Sequence, residues 1–279
     1  MNFTDILEYS FIQRALIAGS FIGMLCSILG VFLVLRRLSL IGDGLAHATF
    51  GSVALSLFLN MSALWISLPI VMICALGILR LTERFRMNGD AAIGMVSSLG
   101  IAAGILLSSI AGGFNVDLFS FLFGSILAIS NAEVILSIVL SFLVLLLVSF
   151  FYNDLLSITF DEESAKVSGI NIQRLNTIFV LMTAVAVVLS MKIVGIMLIS
   201  ALLILPPVTA LQVAESFKAT ILLALFAAAT SVISGILISF YLDLPTGAVI
   251  VAVNFGLFLM GALYRRARNL WGWGQNPAG

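Results

Sequence analysis

Arg36-Arg37-Leu38-Ser39-Leu40-Ile41-Gly42-Asp43-Gly44-Leu45-Ala46-His47-Ala48 joins two long apolar runs, and its reading decides the fold. Two cations end the first run. Seven residues past Arg36 an aspartate opens the second, and four residues later stands His47, the only histidine of the chain. On a helix, positions i and i+4 share a face, about 6 Å apart along the axis. An acid and an imidazole are therefore aimed the same way inside a hydrophobic segment. Ionisable groups there are costly and usually face a bundle interior or a water-filled path.

The flanking sequence sets the class. Of 279 residues, 62% are hydrophobic and 9% charged, against about 25% charged in ordinary soluble domains; mean hydropathy is +1.23. Several segments exceed the ~18–20 apolar residues that cross a bilayer as a helix. Most lack the polar stripe of a soluble core helix, and the short alternating segments of a membrane β-barrel are missing. The chain reads as an all-α polytopic integral membrane protein, a bundle of 8–9 transmembrane helices forming a single domain over residues 1–279. Its balanced charge suggests no nucleic-acid partner. Cys26 and Cys74 lie far apart in apolar runs and read as small buried hydrophobes. Asp5 and Glu8 precede the first run, so no cleaved signal peptide is expected.

The predicted spans are residues 11–35, 43–59, 62–81, 91–110, 133–151, 175–190, 194–213, 219–241 and 244–264. Pro69 and Pro206-Pro207 fall inside spans as kinks. The connection 111–131 carries no cation, and its 119–129 part is expected to dip back into the membrane. If Arg36/Arg37, the Arg80–Arg86 group, Lys166/Arg174 and the Arg265–Arg268 tail are cytoplasmic, nine spans alternate, with the amino end outside and the carboxyl end inside. Lys192 is the exception and reads as a lysine snorkelling from a helix end. If its region does not cross, eight spans remain.

Asp43 and His47 admit two readings. Carboxylate and imidazole are ordinary ligands for first-row metals, and i,i+4 spacing lets both reach one ion. Two ligands make a poor store but a good transit point, where binding must also allow release. A dimer about the pathway would supply a tetrahedral set suited to Zn²⁺. Alternatively, Asp43 caps a helix and His47 donates to a neighbour. In the polar loop, Asp161 reads as an N-cap and Gly169 as a C′ glycine, framing about two turns of helix with Glu162 and Glu163 in the first turn. Such a helix is either a docking surface or a solvated connector. Asn115 and Asp117 in the outer connection are candidates to receive an ion first. No Gly-Lys-Ser/Thr occurs, since Lys166, Lys192 and Lys218 are followed by Val, Ile and Ala, so a P-loop ATP site is excluded.

These segments together resemble the permease subunit of bacterial zinc/manganese/iron ABC importers. The carriers are Arg36-Arg37 with Gly42–Ala48, Asn115-Val116-Asp117-Leu118, Leu122-Phe123-Gly124-Ser125-Ile126-Leu127 and Thr159-Phe160-Asp161-Glu162 to Gly169. Val194-Gly195, Ser200-Ala201-Leu202-Leu203-Ile204-Leu205-Pro206 and Leu244-Pro245-Thr246-Gly247 complete the series. Each alone is a weak signal; their order and spacing make the resemblance strong.

The resemblance implies an ABC-importer permease fold that is not itself an enzyme and has no cofactor of its own. It implies a second copy of the chain, cytoplasmic ATPase subunits that bind ATP, an extracellular or periplasmic metal-binding protein, and a multi-pass place in the bacterial inner membrane. Asp43 and His47 take the position of the family's membrane-embedded metal pair, and Phe160, Asp161, Glu162, Glu163, Ala165 and Gly169 that of its ATPase-coupling segment. Gly-Asp-x-Leu-Ala-His resembles zinc members, although those often carry Thr where Gly44 stands; manganese members tend to have Ile-Ser-His. Transported Zn²⁺ is the expected substrate, with Mn²⁺ or Fe²⁺ the alternative. A self-contained transporter, proton-coupled through Asp43, is the rival from another class.

Overall fold

The computed structural model describes residues 9–113, 116–125 and 130–272. Uninterrupted apolar sequence leaves the backbone no partner but itself, so the chain folds as helices. In order these are α1 (Ser10–Leu35), α2 (Leu40–Phe58), α3 (Ala63–Glu83), α4 (Gly89–Ile110), α5 (Val116–Phe123), α6 (Asn131–Phe150), α7 (Tyr152–Phe160), α8 (Glu162–Val167) and α9 (Ile172–Ser190). A 3-10 turn (Ile196–Leu198) then leads into α10 (Ile199–Val213), followed by α11 (Phe217–Leu242) and α12 (Thr246–Gly272). Nine helical segments among the described residues are long and apolar enough to cross a membrane. The higher of the two expected counts is the observed one.

Every Lys and Arg except Arg14 and Lys192 lies toward the end of the bundle where α1 turns into α2. The two ends are therefore distinguished here as the arginine end and the opposite end. The turns use backbone geometry rather than composition alone. Arg37, at φ 58°, reverses the chain between α1 and α2, and Ser130 with Glu133 forms a reciprocal capping box at the start of α6.

α1 runs through the middle. Leu25, Leu29 and Phe32 on it are fully buried, and α6, α9, α10 and α11 surround it. α2 packs on α3, α4, α9 and α10. α4 and α6 turn Leu99, Leu106, Phe142 and Leu146 outward, as expected of helices that face lipid. Apolar side chains gain little from each other over lipid, so close backbone contact has to hold the bundle. A Cβ on Gly51 would stand 2.7 Å from the Gly100 carbonyl, and one on Gly100 would stand 2.5 Å from the His47 carbonyl. α2 and α4 thus touch backbone to backbone along the stretch that carries His47. Pro207 likewise frees the Leu203 carbonyl, four residues back in α10, and that oxygen lies against Gly30 of α1.

The opposite end closes differently. Gly124 (φ 77°) and Gly195 (φ 87°) adopt left-handed conformations and pack backbone to backbone, with Gly247 pressed onto Val194 beside them. Three separate connections meet there. The Ser125 N–H donates to the Lys192 carbonyl at 2.9 Å, and the Lys192 ammonium pairs with Glu133 at the head of α6 while lying 5.5 Å from the centre of the Phe121 ring. Lys192 therefore does not reach for water as a snorkelling residue would. It is mostly buried, and its charge is met inside the protein.

Three further expectations change. α2 begins at Leu40, three residues before Asp43, because the turn at Arg37 tightens the link. The polar loop holds two helices rather than one, since α7 continues the amphipathic sequence after Phe151 before α8 begins. In the 111–131 connection α5 is a short helix whose Leu118 and Leu122 are buried, packed against the 3-10 turn, α2 and α12; residues 126–129 of the expected dip lie outside the described residues.

Removing one member of the Lys192–Glu133 pair strands a buried charge, a loss of about 3 kcal/mol or more. Lys192→Met alone and Glu133→Leu alone are each expected to lower the thermal midpoint of the purified protein in detergent. The double replacement should recover most of the loss.

Candidate functional site

Asp43 lies in the first turn of α2, and His47 lies one turn further in on the same face. Their spacing does what the helical repeat demands: Asp43 Oδ2 stands 3.7 Å from His47 Nε2. That is too long for a hydrogen bond. It is close to the ~3.4 Å separating two donors that each sit about 2.1 Å from one tetrahedral ion. The Asp43 side chain is 51% exposed and that of His47 21%, so the pair opens onto a face of the bundle and not into its core.

Asp43 is not a cap. The N-cap position is Ser39, and the other oxygen of Asp43, Oδ1, accepts a hydrogen bond from Ser200 Oγ at 3.1 Å. Ser200 stands in the first turn of α10, far away in sequence; it opens one of the segments that carry the family resemblance, but nothing in that segment points it at Asp43. His47 does not donate to a neighbouring helix from Nδ1, which is buried without a hydrogen-bond partner. Its backbone carbonyl is fixed by the contact with Gly100. Gly44 has its own reason to be small: a Cβ there would come within 2.7 Å of Ile93 Cγ2 on α4. No group of three or more His, Cys, Asp or Glu able to hold a metal exists among the described residues.

At the arginine end, α8 forms as its sequence predicts. The Asp161 carboxylate accepts from the Ser164 N–H at 3.0 Å. Gly169 at φ 84° ends the helix, its N–H bonded to the Lys166 carbonyl and the next N–H to that of Ala165. Ala165 is buried beneath the helix, whereas Phe160, Glu162 and Glu163 are exposed. Phe160 packs edge-on against Phe217 of α11 at 5.9 Å. An acidic, apolar-edged helix is thus presented outward on a short stalk.

A cavity of about 520 Å³ lies between this helix and the start of α2, lined by Arg36, Glu83, Phe160, Glu162 and Ile41 among others. Arg36 donates to Asn176 Oδ1 at 2.7 Å and lies over the Phe179 ring. Burial pulls its guanidinium below the usual arginine range, and the Glu162 carboxylate partly opposes that shift. Arg36 therefore ties the α1–α2 turn to α9 and, through charge, to α8.

Of the outer candidates, Asn115 and the side chain of Asp117 lie outside the described residues. The structure brings together Asp43 with His47, and the residues of α8. It adds Ser200, and the Glu133–Lys192 pair that the sequence shows only as isolated charges.

The chain belongs to the ABC 3 transport family, whose model matches residues 8–265. It is 33% identical over 265 residues to the manganese transport system membrane protein MntC of Listeria monocytogenes, covering 95% of this chain and 94% of that one. It is 31% identical to the high-affinity zinc uptake system membrane protein ZnuB of Haemophilus influenzae, covering 91% and 97%. Among solved structures, PsaBC from Streptococcus pneumoniae in complex with Fab superposes with a TM-score of 0.83 at 32% identity, covering 93% of this chain and 94% of that one.

The cap at Asp161 gives a local test. Asp161→Ala should cost about 1 kcal/mol of helix stability. The expected readout is faster amide hydrogen exchange through residues 162–167, with protection in the spans unchanged.

Proposed function

We propose that this chain is the membrane-spanning subunit of an importer of divalent transition metals, with Zn²⁺ as the ion it passes and Asp43 and His47 as the point of passage. The observation that carries the proposal is the 3.7 Å separation of the two donors on one face of α2, in a chain of the ABC 3 transport family. Carboxylate oxygen and imidazole nitrogen are both Zn²⁺ ligands. A half-exposed carboxylate at membrane depth needs a polar surface opposite it. A second copy of the chain across this face supplies one, and with it a second carboxylate and imidazole.

The machinery follows from the same chemistry. The extracellular or periplasmic binding protein delivers the ion at the opposite end, near the 111–131 connection, where Asn115 and Asp117 meet it first. The arginine end and the carboxyl terminus face the cytoplasm, in keeping with the positive-inside rule, and this places α8 where a partner ATPase can grip it. Phe160, Asp161, Glu162, Glu163, Ala165 and Gly169 form the coupling segment. ATP-driven movement of α8 reaches the α1–α2 turn through Glu162 and Arg36, and so changes which side Asp43 and His47 face. Zn²⁺ is cargo, passed on and not stored.

Mn²⁺ is the second reading, favoured by the manganese transport systems among the relatives. Both readings use the same carboxylate and imidazole donors on one face of α2.

The test is uptake of radiolabelled zinc by cells carrying the full transporter. Asp43→Ala and His47→Ala are each expected to reduce import at least a hundredfold while the complex still assembles with its ATPase. Import at the unaltered rate in both variants would place the ion path elsewhere. Ala165→Glu, which buries a charge under α8, should leave the chain in the membrane but lose the copurifying ATPase.

A further inference from the structure

Asp43 has two carboxylate oxygens, and the structure treats them unequally. Oδ2 faces His47 Nε2, whereas Oδ1 accepts the hydroxyl of Ser200 at 3.1 Å. From this geometry we infer that Ser200 is the residue that sets ion selectivity at the point of passage, by holding Asp43 as a one-oxygen ligand. The inference rests on the proposed role of Asp43 and His47.

The chemistry runs through coordination number. A carboxylate free to rotate offers both oxygens to a cation. That suits larger, oxygen-preferring ions with six or more ligands, among them Mn²⁺ and Ca²⁺. A carboxylate with one oxygen engaged by a hydroxyl donor favours binding through its other oxygen alone, which suits the four-coordinate, mixed nitrogen and oxygen shell of Zn²⁺. Orientation of a ligand by a hydrogen-bonding neighbour is a general means of tuning a metal site.

Ser200 is held where it must be for this work. It follows Gly195 by five residues. The intervening 3-10 turn Ile196–Leu198 packs on α2 and α5, and Ile199 is fully buried. Upstream, Gly195 is locked against Gly124, and Lys192 is held by Glu133. Downstream, α10 is seated on α1 through the Leu203 carbonyl at Gly30, and Leu203 packs on Gly42, the residue before Asp43. The hydroxyl is thus presented to Asp43 from a segment anchored on both sides. The backbone on either side of Ser200 is fixed by these contacts, so the hydroxyl starts from a defined position.

The experiment uses the full transporter in native membranes or proteoliposomes, with labelled zinc and manganese ions supplied singly and in competition. Ser200→Ala is expected to lower the zinc-to-manganese preference roughly tenfold or more, the size of one hydrogen bond to a charged group. The change should appear mainly in the KM for each ion. Ser200→Thr keeps the hydroxyl and is expected to restore the preference, a rescue that altered packing alone would not produce. Asp43→Ala is run alongside. If Asp43→Ala abolishes import but Ser200→Ala leaves the preference unchanged, the inference about Ser200 is overturned and the site stands. Loss of preference in Ser200→Thr equal to that in Ser200→Ala also overturns it. If Asp43→Ala imports normally, the failure belongs to the site itself.

Discussion

Helices in a bilayer have no hydrophobic reason to prefer one another to lipid, so this bundle depends on places where backbones touch. Gly100 against the His47 carbonyl, Gly30 against the Leu203 carbonyl and Gly247 against Val194 are three such places. Each joins an element of the site to an element that supports it. The first fixes His47, the second seats the helix that carries Ser200, and the third closes the opposite end above that helix. Side chains larger than hydrogen at these positions would push apart the elements whose registry the site needs.

Charge is managed by a complementary rule. Ionisable groups inside the spans are few, and those described are matched or opened toward a surface. Lys192 and Glu133 neutralise each other beside Phe121, a pairing whose desolvation cost makes it a specifier of geometry more than a source of stability. Arg36 is placed at the arginine end with Asn176 and Phe179. Asp43 is half exposed, and its second oxygen is held by Ser200. An open carboxylate that faces an imidazole one turn away is what marks the candidate site.

The two ends of the molecule have different mechanical character. At the opposite end, three glycine-bearing connections and an ion pair form one junction. At the arginine end, α8 stands outward on Ala165, with a cavity of about 520 Å³ between it and the start of α2. A force applied to α8 meets open space before it meets the α1–α2 turn, and Arg36 feels Glu162 across that space through charge alone. Movement is therefore easier to accommodate at the arginine end than at the junction.

Much of this was legible in the sequence. Continuous apolar runs determined a helical membrane protein of eight or nine spans, because backbone polar groups in lipid have no other partner. The i,i+4 repeat placed Asp43 beside His47, and Asp161 with Gly169 bounded α8, because caps and helical periodicity act over a few residues. What lies between distant segments was decided only by tertiary structure. Ser200 reached Asp43, Glu133 reached Lys192, Gly124 met Gly195 and Gly247 met Val194 through packing that no local pattern encodes. The start of α2 at Leu40 and the second helix in the polar loop were missed because both depend on how a turn closes against its neighbours. A pair of side chains within one helix is written in its period; the hydroxyl that meets one of them comes from another helix, and only the packed bundle brings it there.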